Sequence, residues 1–285
     1  MKYAVIDVGS NSVRLMISEE LRTLYKKINT TRLATGLALS GRLNQDRMLA
    51  TAIAIEEYVE EAKAEKCDDI FVFATEAVRS ASNKDEFIKM LSDKGIYIDV
   101  IASQDEARLG FEGAYTDGIC CVLDIGGGSA ELAVGDNNSL SYAKSLPIGL
   151  VCIYDNCKEN LEAIDEYVAS MIREYGKLPK FDNLLAIGGT ATTFVAIKEK
   201  MKIYNPHVVD GYVLTKEVVD ELTAQIHAMD MQERLLLAGL EPKRADVIVG
   251  GGKLLSAIMS MLGRNSLIVR ESDNQEGYLK LKIKD

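Results

Sequence analysis

The chain has no surplus of positive charge, only two histidines, and no apolar run long enough to span a bilayer. Each shortage excludes something. With 33 Lys and Arg against 43 Asp and Glu, the formal charge is −10, which argues against a general nucleic-acid or acidic-membrane binder. A polyanionic substrate would have to be held locally, by a few arginines, backbone N–H groups or a metal. His207 and His227 are too few for a zinc or haem site. The five cysteines (Cys67, Cys120, Cys121, Cys152, Cys157) are odd in number and contain no C-x-x-C pair, so the expected setting is reducing and cytoplasmic. The opening "MKYAVIDVGS" runs directly into a strand and leaves no room for a secretory signal. A Walker phosphate loop is missing as well: no Gly-Lys-Ser/Thr follows "IGGTATT", and in "VGGGK" Leu254 stands where Ser or Thr is required.

What is present is an internal repeat. "AVIDVGSNSVRLMI" (Ala4–Ile17) lies over "CVLDIGGGSAELAV" (Cys121–Val134) without a gap. Asp7 falls on Asp124, Gly9 on Gly126, Ser12 on Ser129 and Leu15 on Leu132, while Arg14 falls on Glu131. Each copy reads as a strand, a turn of small residues and a second strand. Each also opens a stretch of alternating strands and helices. The pattern predicts an α/β protein of two related lobes, with mixed sheets flanked by helices and a cleft between them. At 285 residues and 47% hydrophobic, the chain can build both cores. The Ser103–Tyr115 segment reads as a helix, as do 46–66, 85–95, 160–176, 190–200 and 215–229; "IYIDVIA" reads as a strand. "KRADVIVGGGKLLSAIMSML" stays open between a strand–turn–helix and one helix loosened at Gly250–Gly252. A hinge is expected near Gly118.

The glycines Gly126, Gly127 and Gly128 let a backbone approach a ligand closely and aim N–H groups at it, as phosphate turns do. In the first copy Gly9, Ser10, Asn11 and Ser12 offer the same with added side-chain donors, and Ser129 matches Ser12. Asp7 and Asp124 end their strands where Mg²⁺ is commonly held, although a tight hairpin alone would also explain the glycines. Arg14 is either a phosphate fork or a solvated strand residue, and Glu131 either a metal ligand or a surface carboxylate. "ATEAVRSASN" puts Thr75, Glu76 and Arg79 at a strand's carboxyl end, where open α/β sheets bind ligands; Asn83 with Glu86 would cap the next helix. Gly188, Gly189 and Thr190 join a strand to a helix start, an anion site or a packing contact. In "SQDEARLG" the Ser103–Glu106 spacing favours a capping box over a general base.

"VIDVGSNSVRLMI", "ATEAVRSASN", "EARLGFEG", "LDIGGGSAEL", "AIGGTATT", "YNPHVVDG" and "GLEPKRADVIVGG", in this order and nearly end to end, resemble the exopolyphosphatase / guanosine pentaphosphate phosphohydrolase (Ppx/GppA) family of the actin-like ATPase superfamily. The resemblance implies two actin-like (ribonuclease H-like) domains, one of residues 1–118 completed by 270–285, the other of residues 119–269. It implies a Mg²⁺-dependent hydrolase of terminal phosphoanhydride bonds in inorganic polyphosphate or pppGpp, with other divalent cations as substitutes, no nucleic-acid or membrane partner, and a homodimer. Its catalytic glutamate falls on Glu106, its metal- and phosphate-handling acids on Asp124 and Glu131, and its phosphate-gripping arginines on Arg14 and Arg79. Two stretches depart from the family pattern. Ala130 replaces the usual Thr of "GGGSTE", and Ser103–Gln104–Asp105 replaces a Gly-Glu-Glu run before Glu106. An actin-like kinase or ATPase, or an alarmone-binding module without hydrolysis, would fit the same turns.

Overall fold

The computed structural model describes residues 1–284; Asp285, the last residue of the expected first domain, lies outside the described residues. In the first half, β1 (Lys2–Val8), β2 (Val13–Glu19) and β3 (Arg22–Asn29) form an antiparallel meander. The short α1 (Leu37–Ser40) leads to α2 (Gln45–Ala64), then β4 (Asp69–Ala74), α3 (Glu76–Ser80), α4 (Lys84–Ser92), β5 (Asp99–Val100) and α5 (Ser103–Ala114). The sheet order is β3-β2-β1-β4-β5, with β4 and β5 parallel to β1.

The second half repeats this plan. β6 (Cys120–Ile125), β7 (Ala130–Gly135) and β8 (Leu140–Leu146) form the meander, followed by α6 (Leu150–Cys157), α7 (Leu161–Ile172), β9 (Asn183–Ile187) and α8 (Gly188–Lys198). Then come α9 (Pro206–Val209), β10 (Val213–Thr215), α10 (Lys216–Ala228), α11 (Met231–Leu235), a 3₁₀ turn (Pro242–Arg244), α12 (Ile248–Met261), β11 (Ser266–Val269) and α13 (Asn274–Lys284). This sheet runs β10-β11-β9-β6-β7-β8, with β9 parallel to β6 and β11 parallel to β9. The two mixed sheets flanked by helices are those the repeat predicts.

Local sequence accounts for most elements. In α2, Met48, Thr51, Ala52, Ile55, Tyr58, Val59 and Ala62 form one buried stripe at helical spacing, and the Asn44 side chain accepts from the Asp46 and Arg47 N–H groups as N-cap. The 250–252 ambiguity resolves to one continuous helix, α12. A Cβ on Gly250 would lie 2.8 Å from Ile153, one on Gly251 3.0 Å from Leu150 and one on Gly252 2.0 Å from Thr223, so the three glycines exist to let α6 and α10 close on α12. That packing offsets a helix-propensity cost of about 1 kcal/mol per glycine.

Three expectations are corrected. The "IYIDVIA" strand survives only as Asp99–Val100. Asn83 makes no side-chain cap; its Oδ1 accepts from Leu43 N–H at 2.8 Å and its Nδ2 donates to Leu43 O at 3.1 Å, tying α4 to the α2 approach. The Ser103–Glu106 capping box is not formed, because Ala102 occupies the N-cap and Ser103 is already helical.

Each sheet has its own core, around Ile6, Leu15, Ile55 and Phe87 in the first and Leu123, Phe194, Leu254 and Ile258 in the second. Helix α5 belongs to both halves. Its Leu109 packs with Tyr3, Val5, Met16 and Phe73 of the first sheet and with Tyr278 and Leu279 of α13. Ala107 and Phe111 pack on Cys120, Val122, Ala133 and Leu185 of the second. The residue between these faces at the helix start is Glu106.

Candidate active site

The two hairpin turns close identically: Gly9 N–H donates to Ser12 O and Gly126 N–H to Ser129 O, both at 3.0 Å. Outside them, Arg32 and Ala34 N–H groups hold the Asn11 and Ser10 carbonyls at 2.8 and 2.9 Å. Correspondingly, Leu150 and Val151 N–H groups at the start of α6 hold Gly126 and Gly127 at 3.1 and 2.8 Å. The turns then meet. A Cβ on Gly127 would lie 2.9 Å from Asn11 N and Cβ, and one on Gly128 2.4 Å from Ser10 Oγ. Between and beside them is a cavity of about 80 Å³, lined by both turns, Asp7, Arg14, Thr75, Glu106, Asp124, Glu131, Gly188–Thr190, Arg244 and Asn274.

Strand register places the acids. Asp7 pairs across the ladder with Arg14, and at the matched site Asp124 pairs with Glu131. In the first lobe this is an ion pair: Arg14 Nε donates to Asp7 Oδ2 at 3.0 Å, and Nη1 to Asp273 Oδ2 at 2.6 Å. In the second, two carboxylates stand opposite each other, 8% and 3% exposed, an arrangement that repels unless a cation or protons intervene. Ser145 Oγ donates to Glu131 Oε1 at 2.7 Å and Asn274 Nδ2 to Asp124 Oδ2 at 3.0 Å. Burial pushes the Asp124 carboxyl up to about 6, opposed by Arg14 and reinforced by Asp273 and Asp7. It pushes Glu131 well above the ordinary range, with Glu106 and Asp124 adding to it.

Glu106 is 5% exposed. Its Oε2 accepts from Arg79 Nη1 at 2.8 Å, and Arg79 also holds Glu76 and the Ile101 carbonyl. Burial raises Glu106 to about 7; Arg79 pulls it down, and Asp124 and Asp7 push it further up. Arg79 therefore orders Glu106 and does not itself line the cavity. Arg14 lines it but is engaged by carboxylates on two sides.

Strand β9 delivers Gly188, Gly189 and Thr190 to the same place. Gly188 has φ +80°, and a Cβ there would lie 2.3 Å from Asp124 Oδ1, so only glycine fits beside that carboxylate. Thr190 is turned inward, its Oγ1 donating to Ile125 O at 2.9 Å. Ala130 packs in the second core and does not line the cavity, so the missing hydroxyl removes no group from it.

Two cavity residues, Arg244 and Asn274, and two neighbours beside the cavity, Glu241 and Asp273, escaped the motif reading. Arg244 and Glu241 lie inside "GLEPKRADVIVGG", but nothing local marks the arginine as inward-facing. Its terminal nitrogens sit where a Gly189 Cβ would be. Asp273 and Asn274 come from "SDNQEG" ahead of α13, where a polar cluster buried to 5% and 2% exposure is the only clue, and burial is invisible in sequence.

The oxygen-only donors suit a hard divalent cation. Asp7 Oδ1 is buried without a hydrogen-bond partner, as an acceptor awaiting a metal-bound water would be. Among the described residues no three His, Cys, Asp or Glu side chains form a ready-made metal cage.

Residues 12–284 match the Ppx/GppA phosphatase family. The chain belongs to that family. It is 32% identical, over 97% of its length, to a bifunctional 3-dehydroquinate synthase/phosphatase of Fusobacterium nucleatum, of which it spans 46%. It is 26% identical to exopolyphosphatase 2 of Mycobacterium tuberculosis over 97% of both chains. Among solved structures, the Ppx/GppA family member from Aquifex aeolicus superposes with a TM-score of 0.80 at 28% identity, covering 100% of this chain and 98% of that one. An exopolyphosphatase-like protein superposes at 0.90 with 26% identity and 98% coverage of both. The two sheets are thus the two actin-like domains of Ppx/GppA proteins, and the chain is a phosphoanhydride hydrolase.

Proposed function

We propose that the protein is a Mg²⁺-dependent exopolyphosphatase or guanosine pentaphosphate phosphohydrolase that removes terminal phosphoryl groups with water activated by Glu106. The observation that carries this is the convergence of both turns, Asp124, Glu131 and Glu106 on one small buried cavity. At about 80 Å³ it is far below the roughly 300–1,000 Å³ of ordinary ligand pockets. A chain end fits such a space and a chain middle does not, which favours cleavage from the end.

Asp124 and Glu131 would hold the metal, with Asp7 reaching it through water. Mg²⁺ there would neutralise the opposed carboxylates and spread the charge of the transferring phosphoryl group. With the turn carbonyls engaged outside, the N–H groups of Ser10–Ser12 and Gly127–Ser129 are the donors left for its oxygens. Arg79 occupies Glu106 Oε2, so Oε1 is the oxygen that takes the water's proton. Arg244, and Arg14 once its carboxylate partners yield, supply the fork for the terminal phosphate.

The leaving chain would pass into an adjoining pocket of about 680 Å³ that shares Arg14, Gly188, Gly189 and Arg244 with the cavity. Lys26, Lys202 and Arg270 there suit further phosphates; Ala196, Met201, Leu236 and Leu237 suit a nucleoside. The second group favours a nucleotide or short chain over long polyphosphate, in keeping with the −10 charge. On this reading the domains are residues 1–118 with 270–285 and residues 119–269, hinged near Gly118, in a cytoplasmic homodimer. Orthophosphate release from tripolyphosphate, long polyphosphate, pppGpp and ATP, with Mg²⁺ and with chelator, tests it. Release from the first or third only with metal supports it. Release from none refutes it in favour of an alarmone binder, and consumption of ATP with the phosphoryl group found on an acceptor and orthophosphate staying low refutes it in favour of a kinase.

A further inference from the structure

Behind the cavity a run of hydrogen bonds crosses from one lobe to the other. Asn11 Nδ2 donates to Ser12 Oγ at 3.3 Å, and Ser12 Oγ lies 3.3 Å from Thr30 Oγ1. Thr30 Oγ1 donates to Glu241 Oε1 at 2.6 Å. A hydroxyl has one proton, so Ser12 is the donor in the Ser12–Thr30 bond. Glu241 Oε2 then accepts from Arg244 Nε at 3.2 Å. Every donor runs toward one carboxylate, from the first phosphate turn on one side and from a cavity arginine on the other. Thr30 is 5% exposed, Ser12 7% and Arg244 9%, so the donors are shielded from water, while the Glu241 side chain between them keeps 34% of its surface.

The loop that holds Thr30 is pinned to the same segment elsewhere. Lys243 Nζ donates to Thr30 O at 3.0 Å; Arg32 pairs with Asp246 and donates to Lys243 O at 3.0 Å. Those contacts join the lobes independently of Glu241. The Thr30–Glu241–Arg244 path does something else: it gives one oxygen of Glu241 to each lobe and ends on a guanidinium that lines the cavity. Neither Thr30 nor Glu241 lines that cavity.

We propose that Thr30 and Glu241 are positioning residues that register Arg244 against the Gly9–Ser12 turn, so that the arginine is aligned for a phosphoryl group only when the lobes are closed on each other. This rests on the phosphoryl-binding reading above and adds to it a cross-lobe control of arginine alignment.

A double-mutant cycle of Thr30→Val and Arg244→Ala tests it, read in kcat and KM for tripolyphosphate with Mg²⁺ and in calorimetric affinity for imidodiphosphate. In the wild-type background Thr30→Val should lower kcat/KM about tenfold, the scale of one hydrogen bond to a charged group. Thr30→Ser should restore it to within about twofold, and Thr30→Val in the Arg244→Ala background should cost less than about twofold. The same loss in both backgrounds, or a Thr30→Val enzyme equal to wild type, overturns the proposal. Thermal melting checks that the variants fold; if Thr30→Val does not, Glu241→Gln takes its place in the cycle with the same expected coupling. A wild-type protein that releases no phosphate but shows the coupling in imidodiphosphate affinity sinks the hydrolase reading and leaves the relay standing. One that neither hydrolyses nor binds sinks both.

Discussion

Asp124→Asn should make the metal-free protein more stable and inactive. The carboxylate is buried directly opposite Glu131, and at the matched position of the other lobe the sheet has Arg14. Its pKa of about 6 stands against an ordinary 3.8. At about 1.4 kcal/mol per pKa unit, ionising it in the folded state costs about 3 kcal/mol. Asp7 and Asp273 share that cost with it, so a neutral isostere should recover about 1–2 kcal/mol, or a few degrees in Tm for a chain of this size. The sign follows from linkage. A carboxyl raised in the folded state binds more protons there, so its contribution is fully present below 3.8 and is lost as pH rises through about 6. The gain from the amide should therefore be largest above about pH 6 and vanish toward about pH 4. Asn274 Nδ2 can still donate to the side-chain carbonyl of the new amide, so that donor keeps its partner. Thermal unfolding with chelator across pH measures this, and a Mg²⁺ titration adds the converse: wild type should rise in Tm and the variant should not. Destabilisation by Asp124→Asn above pH 6 without metal, or an equal Mg²⁺ response in both proteins, would refute the electrostatic reasoning.

Glu106 must be ionised to accept a proton, and burial raises it to about 7, so kcat/KM at limiting Mg²⁺ should climb through about pH 7 and level above it, with the midpoint falling as Mg²⁺ is raised; a profile flat across that range removes Glu106 as base. Gly188→Ala puts a Cβ at φ +80° and 2.3 Å from Asp124 Oδ1, and should cost about 1–3 kcal/mol in denaturant unfolding together with more than about tenfold in kcat/KM. Wild-type stability and rate in that variant would mean the β9–α8 turn does not seat Asp124.

The paired hairpins were legible because their chemistry is local: an aspartate closing a strand, a small-residue turn and two-residue alternation. Register then follows from turn length, which is why the Arg14/Glu131 exchange in sequence becomes an ion pair in one lobe and two opposed acids in the other. Glu106 shows where local reading fails. Ser-x-x-Glu is a sound cap signal, yet the carboxylate bonds Arg79, 27 residues upstream, because α5 lies between two sheets and its first turn opens on the cavity. The mostly polar "RTLYKKIN" hid the edge strand β3, none of whose residues is fully buried. Arg244, Asp273 and Asn274 reach the site from more than two hundred residues beyond the first turn. Their role depends on chain crossing, which no short motif encodes.

Glu106→Gln tests the central claim most directly, because it keeps size and shape and removes only the base. With Mg²⁺ and tripolyphosphate or pppGpp, kcat should fall by about 10²–10⁴-fold while imidodiphosphate binds within about threefold of wild type. Turnover near the wild-type rate, or a loss of affinity as large as the loss of rate, would contradict it.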